Sequence, residues 1–288
     1  MPTVYLNGEY LPPARALISP DDRGFIFGDG IYEVVRIIDG RIFAWRAHAE
    51  RMVRGLNGLK IAFGARDVAG LEAVCGRLVR DNGLADGEAT VYVQVTRGAA
   101  PRTHHFPPAG TATTVYAVAT KFVVPRGLRE NGATAITLPD IRWSRCDLKT
   151  VNLLGAVLAR QAATEAGAYE AILLRDGVMT EGAATNAFAV VQGRLRTYPL
   201  SNYILPGITR KVVVELAAEA GIPVIEEPVI QQDLPKADEI FLCGTTTDVT
   251  PIVTLDGRQV GSGKPGVITK RLQDALAARM YQAVAAAR

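Results

Sequence analysis

DIRWSRCDLKTVNLLGAVLARQ, residues Asp140–Gln161, is the stretch on which the reading of this chain turns. Thr137 and Leu138 end an apolar, strand-like run, and Pro139-Asp140 break it. A helical pattern begins near Asn152, with Leu153, Val157 and Leu158 recurring on one face. Lys149 therefore lies in an ordered connection that enters a helix, flanked by Leu148, Thr150 and Val151. Apolar company of this kind favours a neutral, nucleophilic amine. The plainer alternative is a lysine that snorkels beside a helix start. The other six lysines, at 60, 121, 211, 236, 264 and 270, mostly fall where solvent is expected, which leaves Lys149 as the one strong amine candidate.

The 288 residues suffice for two modest domains. A net charge of +3 with no basic run argues against nucleic-acid binding, and no apolar run reaches the ~20 residues that span a bilayer. The first residues, MPTVYLNGEY, lack the layout of a signal peptide. Cys75, Cys146 and Cys243 are odd in number and far apart, which fits reduced thiols in a cytoplasm. Three histidines, 48, 104 and 105, are too few for a histidine-rich metal centre, and no metal is expected.

Asn7-Gly8 and Asp39-Gly40 are hairpin signals, and between them RGFIFGDG (Arg23–Gly30) feeds the β-branched run Ile31–Ile38. Alternation puts Tyr32, Val34 and Arg36 on one face of that strand. A helix is expected over Ala47–Leu59, with His48 and Arg51 on one side, and another over Val68–Asn82. Strands Thr90–Arg97 and Thr113–Thr120 flank GAAPRTHHFPPAG (Gly98–Gly110), which is too long for a tight hairpin. Arg102 and His104, two apart, point the same way in extended backbone; alone, such a pair is most often solvated loop charge, with a ligand contact as the alternative. Val123–Asn131 reads as a linker, which gives an N-terminal α+β domain over 1–122 and a C-terminal one over 132–288.

The second domain carries hairpins about Asp176-Gly177 and Asp256-Gly257 and a final helix over Val267–Ala287. Within it, LPGITR (Leu205–Arg210) leads into the helical pattern Lys211–Ala220, and GTTTD (Gly244–Asp248) ends a strand. Both suit a phosphate, since amides, hydroxyls and a helix dipole converge there; each is also an ordinary cap or turn. An apolar lysine, a carboxylate after a hairpin (Glu181) and two phosphate-suited turns together fit pyridoxal 5′-phosphate.

The landmarks RGFIFGDGIYEVVR, the Lys149 segment, TEGAATNAF, LPGITR and GTTTDVTP run over nearly the whole chain. They resemble the fold-type IV pyridoxal-phosphate enzymes, and within them the D-amino acid aminotransferases. The resemblance implies a two-domain α+β fold and a cytoplasmic homodimer with the active site between domains. It implies ping-pong amino transfer from a D-amino acid to a 2-oxo acid. Lys149 would be the Schiff-base lysine and Glu181 the partner of the pyridine nitrogen. Arg51, Ile208, Thr209, Thr245 and Thr246 would hold the phosphate, with Leu205 beneath the ring. Tyr32, Arg102 and His104 would bind the substrate carboxylate, with the Arg102 loop and His48 reaching in from the second subunit. Ala183 and Ala184 stand where those enzymes carry serines, and Arg36 where they carry lysine. Branched-chain aminotransferase, (R)-amine transaminase and aminodeoxychorismate lyase share the cofactor frame but not the Arg102/His104 pair. A non-catalytic phosphate-binding module would leave Lys149 unexplained.

Overall fold

The structure is a computed structural model that describes residues 2–285, with side chains described as far as Gln282. It falls into two compact units. Of the described residues, the first takes in 2–123 and Leu148–Leu153; the second takes in Val124–Asp147 and Leu154–Gln282.

The first unit is built from β1 (Val4–Leu6), β2 (Glu9–Leu11), α1 (Arg23–Phe27), β3 (Gly30–Ile38), β4 (Arg41–Ile42), α2 (Trp45–Leu59), α3 (Ala65–Asp81), β5 (Glu88–Thr96) and β6 (Thr114–Lys121). Asn7 and Gly8 turn with φ of 50° and 99°, the left-handed pair that a two-residue hairpin needs. The six strands form one antiparallel sheet in the order β2-β1-β6-β5-β3-β4. Alternation along β3 sends Ile31, Val35 and Ile37 into a core with Met52 and Leu56 of α2 and Val68, Leu71 and Leu78 of α3.

The Lys149 segment joins this sheet. Tyr32 N–H donates to the carbonyl of Lys149 (2.9 Å), Val151 N–H to that of Gly30 (3.0 Å), and Ile31 bridges Thr150. These bonds occupy the edge of β3 that β4 leaves open, because β4 pairs only with Ile37 and Ile38. Leu148 is buried against Gly58 of α2; a Cβ at Gly58 would come within 2.8 Å of the end of the Leu148 side chain, which would have to shift.

The second unit contains α4 (Arg126–Asn131), β7 (Ala133–Pro139), α5 (Leu154–Glu165), β8 (Glu170–Arg175), β9 (Val178–Gly182), β10 (Asn186–Val191), β11 (Arg194–Thr197), α6 (Ile208–Glu219), β12 (Val224–Ile225), β13 (Val229–Ile230), β14 (Glu239–Gly244), β15 (Asp248–Leu255), β16 (Arg258–Gln259) and α7 (Val267–Ala285). Its sheet runs β12-β11-β10-β14-β15-β7-β8-β9-β13, with β16 on β15; β7 is parallel to both neighbours and β11 is parallel to β12. Ala133, Ile172, Met179, Ala187, Leu242 and Ile252 fill one core.

Three expectations change. The stretch read as a linker carries α4, whose Gly132 cap returns an amide to Leu128 and whose Arg129 carbonyl accepts from buried Gln273. Lys149 was assigned to the second domain but lies with the first unit. Helix α5 starts at Leu154 rather than near Asn152, and the stripe that marked it is exposed: Val157 is 55% and Leu158 53% accessible. Its buried face is the small pair Ala159 and Ala163, which packs on Ala171, Leu173 and Ala183. Apolar periodicity locates a helix's apolar face, not what covers it. The final helix was expected to reach Ala287, which lies outside the described residues.

Phe188 and Phe241 are directly paired across β10 and β14, fully buried and stacked at 5.0 Å with 9° between planes. Phe188→Ala should cost about 3–5 kcal/mol of unfolding free energy in denaturant titration. A loss below ~1 kcal/mol would contradict its place in a tightly packed core.

Candidate active site

Of the charged groups in the first unit, the one on the helix-facing side of β3 is Glu33, 2% exposed between Ile31 and Val35. A carboxylate there must be compensated by charge. Arg51 of α2 donates from Nε to Oε1 (2.7 Å) and from Nη2 to Oε2 (2.7 Å), and His48 Nδ1 donates to Oε2 (2.8 Å). Burial alone would raise the Glu33 carboxyl; Arg51 and His48 overcome it and bring it down to about 2. The i, i+3 spacing of His48 and Arg51 thus has a cause in the chain's own core. His48, expected to reach in from the second subunit, is 2% exposed and bonded to Glu33 of its own chain. Arg51, expected to hold phosphate, has its guanidinium plane fixed by the bidentate bond.

Lys149 is half-buried between buried Leu148 and Thr150. Its Nζ lies 4.2 Å from the centroid of the Tyr32 ring, which stacks on Tyr92 at 5.5 Å. Tyr92 in turn donates from its hydroxyl to Gln94 Oε1 (2.6 Å), and burial pushes its phenol up. The outward face of β3 therefore presents the amine with an aromatic floor. Arg36, on the same strand face, is fully enclosed; it pairs with Glu88 and lies 3.7 Å from the Phe122 ring centroid, so its part is structural. Arg102 and His104 are exposed, and both gather on one ring: the Arg102 guanidinium is 5.5 Å and the His104 ring 5.8 Å from the centroid of Phe27.

In the second unit Glu181 is 3% exposed on β9. Its Oε1 accepts from Arg142 Nη1 (2.6 Å), its Oε2 from Asn186 Nδ2 (2.8 Å), and both approach the Leu205 amide (3.2 and 3.1 Å). Burial raises its carboxyl to about 7 against the opposing pull of Arg142 and that amide. Arg142 is shared with Asp140, to which Nε and Nη2 donate at 2.9 Å each. Burial acts to raise Asp140 as well, but the bonds of Arg142 and the charge of Arg175 hold it below its usual range. Arg142 and Asn186 were not singled out from the sequence. Arg142 lies among exposed Ile141, Trp143 and Ser144, a pattern that does not separate a buried guanidinium from a solvated one.

Asn186 Nδ2 also donates to the Leu205 carbonyl (2.9 Å) and so ties Glu181 to LPGITR. Helix α6 begins at Ile208, three residues earlier than expected, which places Ile208 and Thr209 in its first turn. Its N-cap is Gly207, which has no side chain to cap the first amides and leaves them for a ligand. A Cβ at Gly207 would overlap the Asn186 amide, so the bare N-terminus follows from packing. Cys243 pairs with Asn186 across β14 and β10, which brings the Gly244–Thr247 turn, with Thr245 and Thr246, to the same end of the sheet. Ala183 is buried with Ala159, Ala163 and Leu173, where a serine hydroxyl would need a partner.

These residues fit pyridoxal phosphate: a buried carboxylate poised near neutrality awaits a cation such as a ring N–H, and uncapped helix amides with one hydroxyl-rich turn suit its phosphate. Cys146, Cys75 and Cys243 are unpaired and buried; burial pushes the first up to about 11 and the others to about 12, so none serves as a nucleophile. No cluster of metal-binding side chains occurs among the described residues, and no helix among them is long and apolar enough to cross a membrane.

The pattern of the family described as amino-transferase class IV matches residues 30–255. The chain is 42% identical over 274 residues to a D-alanine aminotransferase of Staphylococcus haemolyticus, covering 95% of this chain and 96% of that one. It is 40% identical over 275 residues to a D-alanine aminotransferase of Bacillus licheniformis, with 95% of each covered. Among solved structures it is similar to the branched-chain amino acid aminotransferase of Escherichia coli, with a TM-score of 0.88 and 28% identity over 96% of this chain and 94% of that one. The T.th. branched-chain enzyme, solved with pyridoxamine 5′-phosphate, superposes with a TM-score of 0.86 at 26% identity, over 96% and 93% of the two chains.

Because the folded-state carboxyl of Glu181 is raised above its unfolded value, the stability it contributes is fully present below the unfolded value, near pH 4.5, and is lost as pH rises through about 7. Protein free of cofactor should therefore lose melting temperature across that window more steeply than Glu181→Gln, which cannot ionise. Parallel pH profiles for the two proteins would show that Glu181 is not the group that titrates.

Proposed function

The chain belongs to the amino-transferase class IV family, and from that premise we infer that it is a pyridoxal-phosphate-dependent transaminase that moves the amino group of a D-amino acid to a 2-oxo acid. The observation that most supports the D-amino acid reading within this chain is the gathering of Arg102 and His104 on Phe27, a paired donor set suited to a carboxylate. The branched-chain fold neighbours favour the same scaffold with a different substrate, but at lower identity than the D-alanine relatives.

The cofactor, when bound, supplies an aldehyde that takes up the donor amine and an electron-accepting ring that eases loss of the α-proton. Lys149 would hold that aldehyde, and its amine would take up the proton lost from the substrate Cα. The Tyr32 ring, 4.2 Å from Nζ, keeps the amine over an aromatic floor. Arg142 and Asn186 fix the orientation of the Glu181 carboxylate, which would hold the proton on the cofactor's ring nitrogen. Arg51, held in plane by Glu33, would bind phosphate, as would Ile208, Thr209, Thr245 and Thr246, and Leu205 would pack beneath the ring. Arg102, His104 and Tyr32 bind the α-carboxylate and so decide which α-hydrogen meets Lys149. The reaction is ping-pong, with D-alanine and D-glutamate as donors of the expected type.

The protein acts as a cytoplasmic homodimer in which the Arg102 loop serves the partner's substrate. The exposed stripe of Leu154, Val157 and Leu158 on α5 supports an apolar face that a second copy covers.

Lys149→Ala should remove the visible absorbance of the bound cofactor and nearly all turnover; a variant that keeps both would move the assignment to another lysine. With donors supplied as D/L pairs and a 2-oxo acid, D-alanine or D-glutamate should be used and their L-forms poorly. Arg102→Leu should lower kcat/KM for D-amino acids by about two to three orders of magnitude, while (R)-1-phenylethylamine, which has no carboxylate, loses nothing. Preference of the unmodified enzyme for L-leucine over every D-amino acid would point to the branched-chain reaction instead.

A further inference from the structure

Arg102 and His104 lie in irregular chain between β5 and β6, yet both stand on the same phenyl ring. An exposed loop of this length holds such a pose only if something below it is fixed. The fixed group is Asp29, in the turn between α1 and β3, with a side chain 12% exposed. Its Oδ2 accepts from Arg23 Nε (2.9 Å) and Arg97 Nε (2.7 Å), and its Oδ1 from Arg97 Nη2 (3.0 Å). Both arginines are almost fully enclosed, at 3% and 7% exposure. Burial acts to raise the Asp29 carboxyl, and the bonds and charges of Arg97 and Arg23 hold it below its usual range, so it stays a carboxylate.

Each arginine passes the constraint on. Arg23 Nη1 donates to the carbonyl of Thr103 (2.7 Å), the residue between Arg102 and His104, and its guanidinium lies 4.6 Å from the Phe27 centroid. One side chain therefore fixes both the loop backbone and the ring on which the two basic side chains gather. Arg97 donates to the carbonyls of Lys60 (2.8 Å) and Leu59 (2.7 Å) at the end of α2, and lies 3.8 Å from the ring of Phe106 farther along the loop. The base of the loop is pinned independently: Arg23 N–H donates to the Gly98 carbonyl (2.9 Å), and Asp22 bridges Ala99. Backbone pairing alone thus holds the start of the loop, and the Asp29–Arg23 pair adds a side-chain hold at Thr103.

We propose that Asp29, acting through Arg23 on the Thr103 carbonyl, is the positioning residue that sets Arg102 and His104 for carboxylate recognition. The proposal rests on the reading that these two residues bind the substrate carboxylate. Asp29 and Arg23 touch no reacting atom; their effect is on how well the loop is organised before substrate arrives. A lysine at position 23 keeps a charge for Asp29 but cannot bond Asp29 and the Thr103 carbonyl together through a rigid planar fork.

The experiment uses holoenzyme and compares Arg23→Lys and Asp29→Asn with Arg102→Leu. KM and kcat are measured for D-alanine at saturating 2-oxo acid, beside the rate at which hydroxylamine, a carboxylate-free amine, reacts with the bound cofactor. Arg23→Lys should raise KM for D-alanine roughly ten-fold, with kcat within about two-fold and the hydroxylamine rate unchanged. Asp29→Asn should shift KM in the same direction and further, because both arginines lose their counter-charge; if that variant does not fold, Arg23→Lys alone decides. A general structural role would move kcat and the hydroxylamine rate together with KM, and that result overturns the proposal. An unchanged KM in Arg23→Lys while Arg102→Leu raises it sinks the relay and leaves carboxylate recognition standing. An unchanged KM in Arg102→Leu itself overturns the carboxylate reading, and the relay falls with it.

Discussion

A carboxylate withdrawn from water has to be met by cations and N–H donors, and this protein is arranged around four such groups. Glu33 takes Arg51 and His48, Asp29 takes Arg23 and Arg97, Asp140 takes Arg142 and Arg175, and Glu181 takes Arg142, Asn186 and the Leu205 amide. The balance differs among them in a way that matters. The first three are held low or fully charged by their partners, which makes them rigid fixtures that orient arginines. Glu181 is not: burial outweighs its donors, and its carboxyl is left near 7. A charge that the chain alone compensates incompletely is one that a bound cation can complete, and a protonated pyridine nitrogen is a cation of that kind.

Much of this organisation was readable in the sequence. Asn7-Gly8 and Asp176-Gly177 marked their hairpins because left-handed turns need those residue types, and both adopt them. Alternation on β3 correctly separated Tyr32 from the core. The same alternation placed Glu33 among core residues without explaining it, since a strand pattern records which side a residue faces and not which helix residue will meet it. His48 and Arg51 were noticed as a pair, but their shared partner is fifteen and eighteen residues away in sequence. Arg142 escaped for a similar reason: nothing local separates it from the solvated Arg145 three residues on. The stripe Leu153, Val157 and Leu158 marked helix α5 but not its buried face, because the small residues Ala159 and Ala163 allow the close approach that burial requires.

The chain's likeness to D-alanine aminotransferases in sequence and to branched-chain aminotransferases in backbone shape separates two levels of description. The sheets, the hairpin that carries Glu181 and the uncapped start of α6 suit one cofactor and are compatible with either substrate. What distinguishes the substrates has to come from groups that meet the donor's carboxylate and side chain. In this protein the conspicuous basic pair rests on an exposed loop over Phe27, outside both apolar cores, where it can vary without disturbing either sheet.

The path of the chain around Lys149 has a consequence for how the protein comes into being. All six strands of the first sheet are present once residue 121 has been made, yet the outer edge of β3 at Gly30–Tyr32 finds its backbone partners only in Lys149–Val151. A nascent chain that has reached Val123 therefore displays unpaired amide and carbonyl groups beside a β-branched strand, the sort of edge that invites association with other chains. Some thirty further residues must emerge before that edge closes. The segment that closes it is the one that bears the lysine, so completion of the first unit and placement of the amine are a single event in folding.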